Sequence, residues 1–248
     1  LSGVSQKTYP TLSLAGPELP NLDLMDLPGL VTAQRPGEPD TMVADTKALV
    51  DAAIRETRGR AIYLVCRAAT EDPNLSPVIE VMSKHGHDIV DWTLGVVTKC
   101  DDAGRKKLKK SLNAEELTEV KISDGNGWVA TMNAPLEDEV LAKLRAAHQG
   151  GVPSSAYFAA KAREEALYFD EEGMSDRVQQ DRATTDALIG RLSTLYRKYL
   201  TQEWAPRTLR MLRDYERELD AKLADLGLPP AHDAVSYTHL RAHETQPY

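Results

Sequence analysis

Two periodicities divide the chain. Up to about residue 132, short apolar runs alternate with stretches whose apolar residues recur every three or four positions. After about residue 155 only the helical period remains. Leu12-Ser13-Leu14 and Leu22-Asp23-Leu24-Met25 alternate as strands do, and the segment 15–21, with its glycine and prolines, reads as the turn of a hairpin. Between Asp40 and Arg58, Met42, Leu49 and Ala53, with Val43, Val50 and Ile54, predict a helix. Residues 61–66, Ala-Ile-Tyr-Leu-Val-Cys, form an unbroken apolar run, which predicts a strand covered on both faces. Ser76-Pro77 is a helix start with a serine cap and a proline in the first turn. That helix carries Val78, Ile79 and Met82 and stops near Gly86. Residues 92–98 and 127–132 read as two further buried strands.

Strand, helix, strand, helix, strand predicts an α/β fold with a mostly parallel sheet and helices on both faces. The opening hairpin would add an antiparallel edge. In such sheets ligands bind beyond the carboxyl ends of the strands, so the residues after each strand are the candidates for chemistry. Farther along, Leu188, Leu192, Leu195 and Tyr199 share one helical face, and Leu209, Leu212, Tyr215, Leu219, Leu223 and Leu226 share another. Pro206 separates or kinks the two helices. The first stripe reads as a cap on the sheet. The second is long and reads as one member of a helical bundle.

Composition narrows the reading. The 248 residues suffice for one large domain or a domain with an appendage. A net charge of -8 disfavours a general nucleic-acid binder, which needs a basic face. The basic run 105–110 then reads as a solvated helix face. The two cysteines, Cys66 and Cys100, lie in or beside apolar runs and read as buried free thiols of a reducing compartment. No apolar run approaches the roughly 20 residues that span a bilayer. The chain opens without Met in what reads as mid-domain, and 235–245 resembles the in-frame translation of a transposon-end sequencing adapter. His239 and His243 have the i, i+4 spacing of a metal pair, but no third ligand accompanies them.

Three strand ends carry chemistry: Asp26-Leu27-Pro28-Gly29, Thr98-Lys99-Cys100-Asp101, and Met132-Asn133-Ala134. Singly, the first is an ordinary turn and the second an ordinary loop. Together, in this order and each after a buried strand, they fit a nucleotide site. A carboxylate at a strand end can hold a metal ion, and a glycine brings bare backbone to a phosphate.

With those residues in view, the chain resembles the GTPase domain of the dynamin family over about residues 8–227. The segment 11–31 resembles that family's hairpin and second switch, 94–101 its guanine-recognition motif, and 125–135 its following base-contacting segment. Residues 199–223 are similar to the junction where the GTPase domain passes through a hinge proline into a helical bundle. The resemblance implies GTP binding and hydrolysis by a piece of a self-assembling, membrane-remodelling GTPase. The alternative it leaves is a GTP-binding scaffold or switch that does not hydrolyse, and an unrelated α/β domain is the third reading. Asp26 would hold Mg²⁺ through a water, and Gly29 would give its N–H to the γ-phosphate as the catalytic contact. Thr98 would tie the guanine loop, Lys99 would lie along the base, Asp101 would accept from guanine, and Asn133 would approach from the other side. Glu71 or Asp72 would be the contact across paired GTPase domains.

The implied domains are residues 1–205 (GTPase domain), 206–234 (bundle helix leading to a stalk) and 235–248 (a non-native tail). The phosphate-binding loop and first switch would precede residue 1, so this piece alone should not turn over GTP. Ala134 stands where the family usually has Arg after Asn. Self-association through the GTPase domains and the bundle is implied. So is a cytoplasmic protein peripheral to membranes, touching them only through regions outside this sequence, with no nucleic-acid partner.

Overall fold

The computed structural model describes residues 12–13, 15–17, 22–30, 33–34, 36–72, 76–112, 121–122, 125–148 and 151–227. It divides into two compact units, Leu1–Tyr199 and Leu200–Tyr248. The tail 235–248 lies outside the described residues.

The first unit is built on three parallel strands in the order β1 (Tyr63–Ala68), β2 (Thr93–Thr98) and β3 (Trp128–Ala130). The apolar runs at 61–66, 92–98 and 127–132 thus become strands. Helix α1 (Met42–Thr57) precedes the first strand, and helices α2 (Pro77–Ser83) and α3 (Arg105–Leu112) lie between the strands in sequence. Helices α4 (Asp138–Ala147), α5 (Ser154–Glu171), α6 (Ser175–Gln179) and α7 (Thr185–Tyr199) follow them. Pro77 sits in the first turn of α2 behind Ser76, where its missing N–H costs nothing.

Strand alternation sorts the core into two faces. Val65, Val97, Trp128 and Ala130 share one face and cluster with Val50 and Ile54 of α1, Ile79 and Met82 of α2, Leu108 of α3 and Phe169 of α5. Leu94 and Val129 share the other and cluster with Ala187 and Leu195 of α7, with Leu188 and Leu192 packed alongside. The stripe read from the sequence on α7 is therefore the cover of one sheet face. Gly95 pairs with Trp128, and a Cβ there would collide with the indole, so a bare backbone is needed. The Arg67 guanidinium lies over the same ring, 4.6 Å from its centroid. Arg67 also donates to the Ser111 side chain (2.6 Å) and carbonyl (2.8 Å) at the end of α3, which ties the helix of the basic run to the sheet. In that helix Leu108 is buried and Lys106, Lys107 and Lys110 are exposed, as the solvated-face reading requires.

Three expectations need correction. Residues 22–30 form no strand, and neither do the described residues 12–13. Alternation makes a strand only where a neighbour supplies hydrogen bonds. Leu24 and Met25 stay 84% and 65% exposed, and the segment reaches the core through Leu27 and Leu30 instead. Strand β1 is covered on one face only: Val65 and Arg67 are buried, whereas Leu64 and Cys66 are exposed. Among the described residues it is an edge strand, and the cluster that α7 forms with Leu94 and Val129 does not include them. Cys66 is therefore not the buried thiol expected from its apolar run.

In the second unit, Leu200–Trp204 form a wide π-type turn and α8 (Ala205–Asp225) follows, with Pro206 in its first turn. Leu209, Leu212, Tyr215, Leu219, Leu223 and Leu226 are all exposed. Among the described residues, no helix is long and apolar enough to cross a membrane.

Candidate functional site

Parallel pairing brings all three carboxyl ends to one rim. Ala68 is level with Thr98, and Val97 with Ala130. Thr98 is fixed from both sides: its hydroxyl donates to the Arg67 carbonyl (3.2 Å), and its carbonyl accepts from Ala69 N–H (2.8 Å). The next residue, Lys99, has left-handed backbone (φ 53°, ψ 44°) and an exposed side chain. An L-residue pays for that conformation, about 1–2 kcal/mol, and such strain concentrates at functional sites. Cys100–Asp102 then make one 3₁₀ turn.

Within that turn Cys100 points inward and Asp101 outward. Cys100 is fully buried, and its Sγ–H donates to the Val97 carbonyl (3.3 Å). Burial is the main reason its thiol is pushed from 9.0 up to about 12; the Asp101 and Glu165 charges add to this, while a backbone hydrogen bond from Thr131 opposes it. Cys100 is thus the core filler that anchors an exposed carboxylate at Asp101. The turn is tied to the third strand end, because Cys100 N–H donates to the Thr131 carbonyl (3.4 Å). Thr131 N–H in turn donates to the Val97 carbonyl (2.8 Å). The loops that carry Asp101 and Asn133 are therefore one hydrogen-bonded assembly.

Beyond Thr131 the chain leaves regular structure. Asn133 is exposed, and its Oδ1 accepts from the Lys161 ammonium (2.6 Å). An ammonium only donates, which fixes the amide so that its NH₂ side is free to face a ligand. Met132 N–H donates to the Glu165 carboxylate (2.7 Å), and the Tyr168 hydroxyl donates to the Cys100 carbonyl (2.6 Å). Burial first, then the Glu172, Cys100 and Asp101 charges, push the Tyr168 phenol up to about 12, so it remains a donor. Lys161, Glu165 and Tyr168 all lie on α5, and sequence reading passed over them. One signal was present: Glu165 is the lone acid among Ala162 and Phe169 at helical spacing, and a buried acid requires donors.

The other candidate residues sit apart from this assembly. Asp26 is exposed and is placed by β1: its charge acts on the Cys66 thiol, which is raised by crowding of the surrounding protein and then by that carboxylate. Gly29 is exposed, and a Cβ there would meet nothing within 4 Å, so none of the described residues demands a glycine. Glu71 and Asp72 are exposed in the turn after β1, where Glu71 N–H donates to the Ala68 carbonyl (3.0 Å). They lie on the same rim as Thr98. Among the described residues, no group of three His, Cys, Asp or Glu side chains could hold a metal ion. A lone exposed carboxylate such as Asp26 fits the outer hold of a hydrated Mg²⁺, which takes few protein ligands and keeps its waters.

No protein-family model matches the chain. Among curated proteins it is similar to Dynamin-related protein 12A of Glycine max, 24% identical over 228 residues that cover 90% of this chain and 33% of that protein. It is also similar to Interferon-induced GTP-binding protein Mx of Solea senegalensis, 24% identical over 235 residues, 94% of this chain and 34% of that protein. A third relative, Phragmoplastin DRP1A of Arabidopsis thaliana, is 30% identical over 128 residues, 51% of this chain and 20% of that protein. The chain spans about a third of the length of the first two. The likeness first carried by three short motifs thus extends, at low identity, along almost the whole chain: it is similar to dynamin-related proteins and to an Mx GTP-binding protein over about nine-tenths of its length.

Proposed function

We propose that this chain reads the guanine base in a dynamin-like GTPase. The observation that carries the reading is the joined pair of loops at the carboxyl rim. They present Asp101 and Asn133 outward from a buried Cys100–Thr131 hydrogen bond. Asp101 accepts from guanine N1–H and the N2 amino group. Adenine would leave that carboxylate unsatisfied, at a cost of about 1–3 kcal/mol. Asn133, with its carbonyl taken by Lys161, gives its amide hydrogens to the guanine O6 and N7 acceptors. Lys99, turned outward by its left-handed backbone, lays its apolar stem along the base.

Hydrolysis belongs to the whole protein. There Asp26 would hold Mg²⁺ through a water, which would supply charge neutralisation at the phosphates, and Gly29 would give its N–H to the γ-phosphate; in-line attack by water is then mainly a matter of positioning and charge neutralisation. Glu71 or Asp72, on the same rim, is the acidic contact to a second GTPase domain across the nucleotides. The apolar stripe of α8 takes part in a bundle, and the assembled protein works from the cytoplasm on membranes. Of these wider roles, the relatives' names support GTP binding and kinship with dynamin-related proteins; the others rest on the resemblance of the sequence.

The test is a titration of the chain with GDP and with ADP, followed by backbone amide shifts. Shifts at Lys99–Asp102 and Thr131–Asn133 with GDP, at least tenfold tighter than with ADP, are the expected result. Equal affinities, or shifts elsewhere, would remove the base from this rim.

A further inference from the structure

Three side chains on one face of α5, at positions 161, 165 and 168, each grip the base-reading loops at or next to a residue that would touch the base. We infer that α5 is the positioning element of the guanine site, with Glu165 and Tyr168 setting the two loops at the separation a base requires. The inference rests on the guanine reading above and deepens it.

Glu165 is 2% exposed, and its carboxylate is shared. Oε1 accepts from Met132 N–H (2.7 Å) and the Thr185 hydroxyl (3.1 Å), and Oε2 accepts from Thr185 N–H (2.7 Å). One buried acid thus joins the residue before Asn133 to the first turn of α7. Met132 N–H has left the β-ladder, so the carboxylate takes the place of a missing strand partner, and a charged acceptor is the stronger kind. One turn farther along α5, Tyr168 donates to the Cys100 carbonyl (2.6 Å), the residue before Asp101. Phe169 beside it is fully buried, which locks that turn of the helix against the core. Asp101 and Asn133 are themselves exposed, so their spacing is not set by burial of their own side chains. It is set by these two grips and by the Cys100–Thr131 bond.

An amide cannot replace Glu165. Gln offers one acceptor and one donor, so one of the two N–H groups would face a donor in either orientation. Tyr168→Phe is the milder change, since it keeps the ring and removes only the hydroxyl.

The experiment measures GDP and ADP affinity for the wild-type chain, Glu165→Gln and Tyr168→Phe, together with amide hydrogen exchange. The expected result is a loss of guanine affinity of about threefold to tenfold for Tyr168→Phe, the usual effect of one net hydrogen bond, and a larger loss for Glu165→Gln. The GDP-over-ADP ratio should fall in both variants. Faster exchange at the Met132 and Thr185 amides should appear in Glu165→Gln, with β2 exchange unchanged. If the wild-type chain shows no preference for GDP, the guanine reading fails before any variant is made, and this inference falls with it. If the wild type prefers GDP and both folded variants keep its affinity and ratio, α5 is only structural and the inference alone is overturned.

Discussion

Helices α7 and α8 carry the same kind of leucine stripe, and the molecule uses them differently. On α7, Leu195 is buried and Leu188 and Leu192 are partly so, against Leu94 and Val129 of the sheet, and Tyr199 is buried against Trp92. On α8, six large apolar residues at the same period stand exposed, from Leu219 at 41% to Leu226 at 81%. Helical period tells which residues share a face; it does not tell whether the same chain supplies what covers that face. For α7 the sheet supplies it. Fully burying one such leucine is worth roughly 1.5–3 kcal/mol, so the α8 face is a standing drive toward association.

The largest test of that contrast is Leu195→Ala, which should cost about 2–5 kcal/mol because it opens a cavity between α7 and the sheet. Exchange of the β2 amides reads that loss, and no change would show that α7 does not hold the sheet. Alkaline pH should act next, and on the sheet unit specifically. The folded state holds the Cys100 thiol and the Tyr168 phenol neutral, with both raised to about 12 from 9.0 and 10.0. Groups raised in this way contribute stability that is complete below their unfolded values and is lost as pH climbs through the folded ones. Stability should therefore fall between about pH 9 and pH 12, and Cys100→Ala should flatten the early part of that fall. A pH-independent midpoint over this range would contradict the burial of both groups.

A smaller effect is expected at the rim. Lys99→Gly removes left-handed strain and should stabilise the sheet unit by about 0.5–1 kcal/mol while weakening GDP binding. Stabilisation without loss of binding would mean that the strained lysine serves no ligand. Smallest of all, Leu219→Ala should change the sheet unit by less than about 0.5 kcal/mol. Removing residues 200–248 should leave β2 exchange intact and reduce self-association seen in sedimentation. Deprotection of β2 on that deletion would erase the distinction between the two stripes.

What could be read from the sequence follows from which signals are local. The helix at α1, the three strand cores and the capping face of α7 announce themselves by period, because burial on one side leaves its mark on consecutive residues. The segment Leu22–Met25 carried the strand period too, but a strand is completed by a neighbour, and alternation says nothing of that neighbour. Cys66 misled for the same reason: its run is apolar, yet it lies on an edge strand with one face open. Asp101 and Asn133 were legible as motif residues. Glu165 showed only as an acid on an apolar helical face; its partners, Met132 and Thr185, are 33 and 20 residues away in sequence, and the backbone N–H groups they use leave no trace in residue type.

The central claim is that the rim reads guanine through Asp101, and Asp101→Asn tests it most directly. The amide keeps one acceptor for N1–H but turns the other into a donor, which opposes the amino group of guanine and matches the carbonyl of xanthine. Competition binding of GTP and XTP to the wild type and the variant should show the preference move toward XTP by tenfold or more. An unchanged preference for GTP would take Asp101 out of the site and contradict the account.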